Sequence, residues 1–141
     1  MHIPIQVDYG VRALVDLAEH QEEGSVHTAE IAGRKGIPEP YLARVLHTLQ
    51  KSGFVKSQRG PKGGHSLARA PSEISMGMVM DYLGGTQTLV ACLDDAGRRG
   101  PSPSCVQREV WRDVEEAIHK VLDATSIADL VRRMQGPSRQ T

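Results

Sequence analysis

Aromatic residues, cysteine and net charge are all scarce in this chain. Phe, Trp and Tyr make up 4% of 141 residues, so a core must come mainly from Leu, Val, Ile and Ala. That supply suits packed helices better than a sandwich, and pairing with a second copy would offset limited burial. No run of 18 apolar residues occurs, which excludes a membrane-spanning helix. Met1-His2-Ile3-Pro4 lacks the basic and apolar regions of a signal peptide, so a cytoplasmic location is expected. Two cysteines in a reducing compartment are poor candidates for a permanent disulfide; metal binding, redox chemistry and inert thiols remain open. Catalytic patterns are missing as well. There is no HExxH, no paired-carboxylate motif, no Ser/His/Asp order and no Walker-type GxxxxGK[ST] loop. The six histidines, His2, His20, His27, His47, His65 and His119, are scattered without metal-ligand spacing, and each reads as a surface or capping residue. No enzyme and no internal repeat are expected.

What is present is an uneven charge. The net charge is zero, yet residues 34–69 hold eight basic groups (Arg34, Lys35, Arg44, Lys51, Lys56, Arg59, Lys62, Arg69) against the single acid Glu39. Residues 1–33 are acidic, at about −5. A basic pole of this kind suits a polyanion, because phosphate contacts release condensed counterions. A solvated basic face is the other reading of the charge alone.

The local patterns give the pole a shape. Val7, Val11, Leu14, Val15 and Ala18 follow the spacing of one helical face in a first helix ending near Gly24, with Asp8 in its dipole-favoured first turn. Thr28 is read as the N-cap of a short second helix that packs Ile31 and Ala32 and stops at Gly36. After the turn Gly36-Ile37-Pro38, Pro40 suits the first position of a helix running to about Ser52. Leu42, Val45, Leu46 and Leu49 form its buried stripe, while Pro40, Arg44, His47 and Lys51 fall on the opposite side. In a recognition helix the N-terminal Glu39, Tyr41, Ala43 and Arg44 would meet base edges, with His47 and Lys51 on phosphate. Two short strands follow, one from Phe54 to Arg59 and one from His65 to Arg69, joined by Gly60-Pro61-Lys62-Gly63-Gly64. Arg59 and Lys62 would flank the tip of this wing, placed to enter a minor groove or grip phosphate.

Beyond Pro71, Ser72 or Ser75 starts a helix through Met76, Val79, Met80 and Leu83. A long Gly- and Pro-rich loop then carries Cys92 and ends at Cys105. Ser104 and Gln107 form a capping box for a long helix whose Val110, Val114, Ala117 and Val121 step by 4, 3 and 4, widened by Trp111, Ile118 and Leu122. A dimerisation arm is the best account of that helix, with packing inside one subunit as the alternative. Ile127, Leu130, Val131 and Met134 predict a last short helix before a polar tail. The expected fold is mainly α: a winged helix-turn-helix over residues 1–84, a cysteine loop over 85–105, a dimerisation helix and short terminal helix over 106–135, and a disordered tail over 136–141.

The stretches DYGVRALVDLA (Asp8–Ala18), EIAGRKGIPEPYLARVL (Glu30–Leu46) and LQKSGFVKSQRGPKGGHSLAR (Leu49–Arg69), with a cysteine-bearing loop before a Trp-containing helix, resemble the IscR-type family of winged-helix transcription regulators. That group includes NsrR-type nitric oxide sensors and CymR-type cysteine regulators. The resemblance covers nearly the whole chain. It implies a homodimer on double-stranded DNA with a palindromic operator, DNA contacts from Thr28, Glu39, Pro40, Tyr41, Arg44, His47, Lys51, Arg59, Gly60 and Lys62, and an iron–sulfur cluster sensing cluster status, redox or nitric oxide. Cys92 and Cys105 match the first and last family cysteines; the middle position falls near Arg98-Arg99-Gly100, and Arg108 stands where some relatives carry a ligating His. Asp8 matches an acidic residue that in other relatives reaches the partner's cluster. A thiol switch and a cofactor-free regulator are the alternatives within this fold, and a winged-helix protein–protein module is the alternative outside it.

Overall fold

The computed structural model describes residues 3–60, 63–84 and 105–136. The expectations for Lys62, Cys92, the Ser104 cap and the tail after Gly136 lie outside these residues. Among the described residues the order is α1 (Ile5–Glu19), α2 (Thr28–Lys35), α3 (Glu39–Lys51), β1 (Val55–Gln58), β2 (Gly64–Leu67), α4 (Met76–Leu83), α5 (Cys105–Ala124) and α6 (Ile127–Gln135). Short 3-10 turns occupy Gln21–Glu23 and Pro71–Glu73. The fold is the expected mainly helical one with a two-stranded wing.

α1 is the centre of the molecule. Its periodicity predicts one apolar face, but Val7, Gly10, Val11, Ala13, Leu14, Val15, Asp16 and Leu17 are all buried. The reason is that α2, α3, α4 and α6 all pack against it. Gly10 lets α4 pack closely, since a Cβ there would collide with Leu83 Cδ1. Around α1 the core gathers Ile31, Leu42, Leu46, Leu49, Phe54, Ile74 and Ile127, each fully buried. Burial of each such aliphatic side chain contributes roughly 1.5–3 kcal/mol.

Asp16 is a charged residue in that core. Its side chain is 0% exposed and accepts two hydrogen bonds from Arg34, from Nε at 2.8 Å and from the guanidinium Nη2 at 2.9 Å. The hydrogen bond to Asp16 raises the Arg34 pKa above its ordinary value. Beside it Lys35 Nζ lies 3.0 Å from Glu19 Oε1. The basic pole read from the sequence is therefore partly offset, because Arg34, exposed at the surface, and half-buried Lys35 each pair with a carboxylate of α1.

Ser75, not Ser72, caps α4, its Oγ accepting from the Met78 N–H at 3.1 Å. The C-terminal end of α5 is tied to this region. The Met76 N–H donates to the Thr125 carbonyl at 2.9 Å, and the Ile127 N–H to the Ile74 carbonyl at 2.8 Å. Gly77 allows the approach, because a Cβ there would run into Asp123 Oδ1. Ser126 and Asp129 then form a reciprocal capping box, with bonds of 3.0 and 2.9 Å, that starts α6.

Further toward its N-terminus α5 presents an uncovered apolar stripe. Val106, Val110, Val114 and Val121 are 73%, 51%, 39% and 65% exposed. With Ala117 they span an arc of roughly 80° at about 100° per residue, while Ile118 and Leu122, on the adjoining arc, are half-buried. No helix among the described residues is long and apolar enough to cross a membrane.

Candidate nucleic-acid interface

The turn between α2 and α3 is set by backbone chemistry. Gly36 closes α2 in the left-handed region (φ 66°, ψ 39°), and the Ile37 N–H satisfies the Ala32 carbonyl at 3.1 Å. Ile37 is buried, so the turn is anchored from beneath. α3 begins at Glu39, with Pro40 second in the helix rather than first as expected. Its stripe is as predicted: Leu42, Val45, Leu46 and Leu49 are buried, whereas Glu39, Pro40, Ala43, Arg44, His47 and Lys51 are exposed. Tyr41 is held at the edge of this face by a T-shaped contact with Tyr9, centroids 5.3 Å apart, and Arg44 lays its guanidinium 5.4 Å from the Tyr41 ring centre. A cation–π contact of this kind orients an exposed arginine at modest energetic gain.

The wing is an antiparallel pair in which Val55, Lys56, Ser57 and Gln58 face Leu67, Ser66, His65 and Gly64. The observed strands are shorter than predicted at both outer ends. Gly60 (φ 102°) and Gly64 (φ 142°) take backbone angles that disfavour other residues. At Gly64 a Cβ would sit 2.6 Å from the Val26 carbonyl oxygen. That closeness lets Val26 and His65 exchange backbone hydrogen bonds of 2.8 Å in both directions, pinning the wing to the segment before α2. Arg59 and Gly60 are exposed at the tip. Arg69 is drawn away from it, its guanidinium 5.6 Å from the Phe54 ring centre. Arg44, Lys51, Lys56, Arg59 and Arg69 are exposed cations of the pole among the described residues, and Arg34, also exposed, is paired with Asp16.

Two further expectations change. Thr28 is not the N-cap of α2: that position is His27, whose N–H donates to the Glu30 carboxylate at 3.0 Å. The Thr28 hydroxyl instead lies 3.1 Å from His65 Nε2. Asp8 is paired with Arg12 of its own helix at 2.8 Å, half-exposed, and Arg12 also donates to the Lys35 carbonyl. Among the described residues no three His, Cys, Asp or Glu side chains gather as a metal site.

Sequence reading missed His65, taken as one of six surface or capping histidines. The half-buried ring lies between Thr28 on one side and Ser57 Oγ, 3.0 Å from Nδ1, on the other. Burial first, and nearby His27 second, hold its pKa below the ordinary imidazole value. Strand alternation carried a usable signal, since His65 shares its side of β2 with buried Leu67.

Comparisons with known proteins agree with this geometry. The family model described as "Rrf2: Iron-dependent Transcriptional regulator" matches residues 3–133. The HTH-type transcriptional regulator IscR of Aliivibrio salmonicida (strain LFI1238) is 37% identical over 123 residues, 87% of this chain and 73% of the relative. Among solved structures, T. potens IscR superimposes with a TM-score of 0.79 at 34% identity, covering 100% of this chain and 92% of that one. CymR, the global cysteine regulator of B. subtilis, gives a TM-score of 0.82 at 30% identity, covering 94% of this chain and 98% of the other. This chain belongs to the Rrf2 family of transcriptional regulators, a non-enzymatic class.

Proposed function

We propose that the chain is a homodimeric regulator that docks α3 in the major groove of a palindromic operator and the wing against the adjacent backbone or minor groove. The observation carrying this reading is the exposed face of Glu39, Pro40, Ala43, Arg44, His47 and Lys51 on a helix whose opposite stripe is wholly buried, beside an Arg59-bearing wing. A protein–protein module would not need that concentration of exposed cations. Arg59→Ala is expected to weaken binding to a DNA duplex strongly while leaving melting temperature unchanged, because the exposed side chain supports no core contact. Loss of one phosphate contact lowers the slope of log affinity against log salt by about one unit. Unchanged affinity and slope in a fluorescence anisotropy titration would remove the wing from the interface.

The uncovered valine stripe of α5 supports a two-fold pairing of that helix. Such symmetry sets two recognition helices about 34 Å apart, or a multiple of it, and so calls for a palindromic site.

For the sensor we propose an iron–sulfur cluster held by Cys92 and Cys105, with Asp8 supplied by the second copy and a fourth ligand from a further, unassigned group. Cys105 is the first residue of α5, where a thiolate is favoured, and thiolates are the soft ligands such clusters require. Asp8 would have to leave Arg12 to serve. Protein purified without oxygen is expected to carry iron and visible absorbance that disappear in Cys92→Ala. Colourless, iron-free protein after cluster reconstitution would sink this assignment. One observation favours a thiol switch as the second reading: Arg108, one turn into α5 from Cys105, has its Nε buried without a hydrogen-bond acceptor among the described residues. A guanidinium three residues after Cys105 would stabilise its thiolate if the two meet, as a helix N-terminus does. Peroxide would take two electrons and two protons from the thiol pair, forming a disulfide and water.

A further inference from the structure

His65 joins three parts of the proposed DNA-binding surface through side chains. Ser57 Oγ on β1 donates its only hydrogen to Gln50 Oε1 of α3 at 3.0 Å. The 3.0 Å contact between Ser57 Oγ and His65 Nδ1 is therefore one in which Nδ1–H donates. With Nδ1 protonated in the neutral ring, Nε2 carries the lone pair and accepts the Thr28 hydroxyl at 3.1 Å. The relay runs Thr28, His65, Ser57, Gln50, from the start of α2 through the wing to the end of α3. In this state the Thr28 hydrogen is committed to the imidazole, so toward a phosphate oxygen the hydroxyl presents lone pairs.

We propose that His65 is a positioning residue through which DNA binding takes up a proton. A proton from solvent adds to Nε2, the ring now donates to Thr28 Oγ1, and the hydroxyl hydrogen is released to point outward. The same event places a full positive charge between α2 and the wing. Both changes favour a phosphodiester backbone over water, so DNA and proton bind cooperatively.

The neighbouring elements bear on that equilibrium. Among the charged groups of the neighbouring elements, His27, just before α2, acts on the ring and lowers its pKa by like-charge repulsion. Burial first, and His27 second, favour the neutral ring in the free protein. The sign follows from that depression: the unfolded chain binds the proton more readily, so folding stability contributed by His65 is present above about pH 6.5 and lost as pH falls. Phosphate opposes this loss and raises the pKa in the complex, which makes affinity rise as pH drops.

The inference rests on the DNA-binding reading, and its test separates the two. The parent is a His27→Gln/His47→Gln chain, so that pH dependence from the other two interface histidines is removed. Its affinity for a random-sequence duplex, bound through phosphate, is followed by fluorescence anisotropy at fixed ionic strength between about pH 5.5 and 8. The expected gain is up to about tenfold per pH unit, the limit for one proton, and His65→Gln added to the parent is expected to flatten the curve. The readout is the slope, with thermal melting at each pH confirming that both chains stay folded. Calorimetry of the parent in two buffers of different ionisation enthalpy needs no His65 variant and is expected to show net proton uptake on binding. An identical slope after His65→Gln, or zero proton uptake, overturns the proposal while leaving the DNA reading intact. Absence of binding by the unmutated protein at every pH overturns both.

Discussion

If α5 pairs two copies as proposed, Val114→Glu is expected to leave a monomer and, with that, to remove most of the operator affinity. Val114 lies in the middle of the exposed stripe Val106, Val110, Val114, Val121 of α5 and is 39% exposed in the single chain. A carboxylate at that point costs little in a monomer, where water reaches it. In a two-fold seam it would be buried twice, once on each copy, which costs several kcal/mol where it is left unpaired. Two linked recognition helices gain roughly 10²–10⁴ in avidity over one, so affinity for a palindrome should fall by about that factor. Affinity for random-sequence DNA should fall far less. Sedimentation velocity and circular dichroism on the same sample check the result: a folded monomer is expected, and a folded dimer would place the interface elsewhere.

The second large effect concerns stability. Arg34→Ala is expected to cost about 3 kcal/mol, the low end of the roughly 3–5 kcal/mol for breaking a buried ion pair. The low end applies because the Arg34 side chain is 36% exposed, so water replaces part of what the guanidinium supplied. Asp16 has no such relief, at 0% exposed in the centre of the fold. Against a typical total of about 5–15 kcal/mol, this is a severe loss. The double variant Asp16→Leu/Arg34→Met should recover much of it, since replacing both partners leaves no orphaned charge. Urea denaturation with a shared m-value tests both. A loss under about 1 kcal/mol in Arg34→Ala would mean the pair does not hold α2 on α1.

These two predictions differ in how early they were visible. The valine stripe of α5 follows from helical spacing, because residues 3 and 4 apart share a face whatever surrounds them. The same local rule placed the buried stripe of α3, the Gly36 turn and the glycine wing, where each residue type answers a backbone requirement of its own neighbours. Arg34 counts in the sequence as one of eight basic groups, and only the packing of α2 on α1 makes it the partner of Asp16. Charge counted along a chain carries no direction; it acquires one when helices cross. Thr28 and His65 make the same point. A threonine before a helix satisfies the rules for a cap, and 37 residues separate it from the histidine that it meets.

Sequence alone thus determined the element order, the core stripes, the basic pole and the family, because these depend on composition, period and motif. Tertiary structure decided how α6 returns to α1 and puts Ile127 in the core, that Arg34 of α2 meets Asp16 of α1, and that a strand histidine links wing to helix. Each of these is a contact between segments distant in sequence. Such contacts depend on which surfaces the whole chain buries together, and no local periodicity encodes that choice.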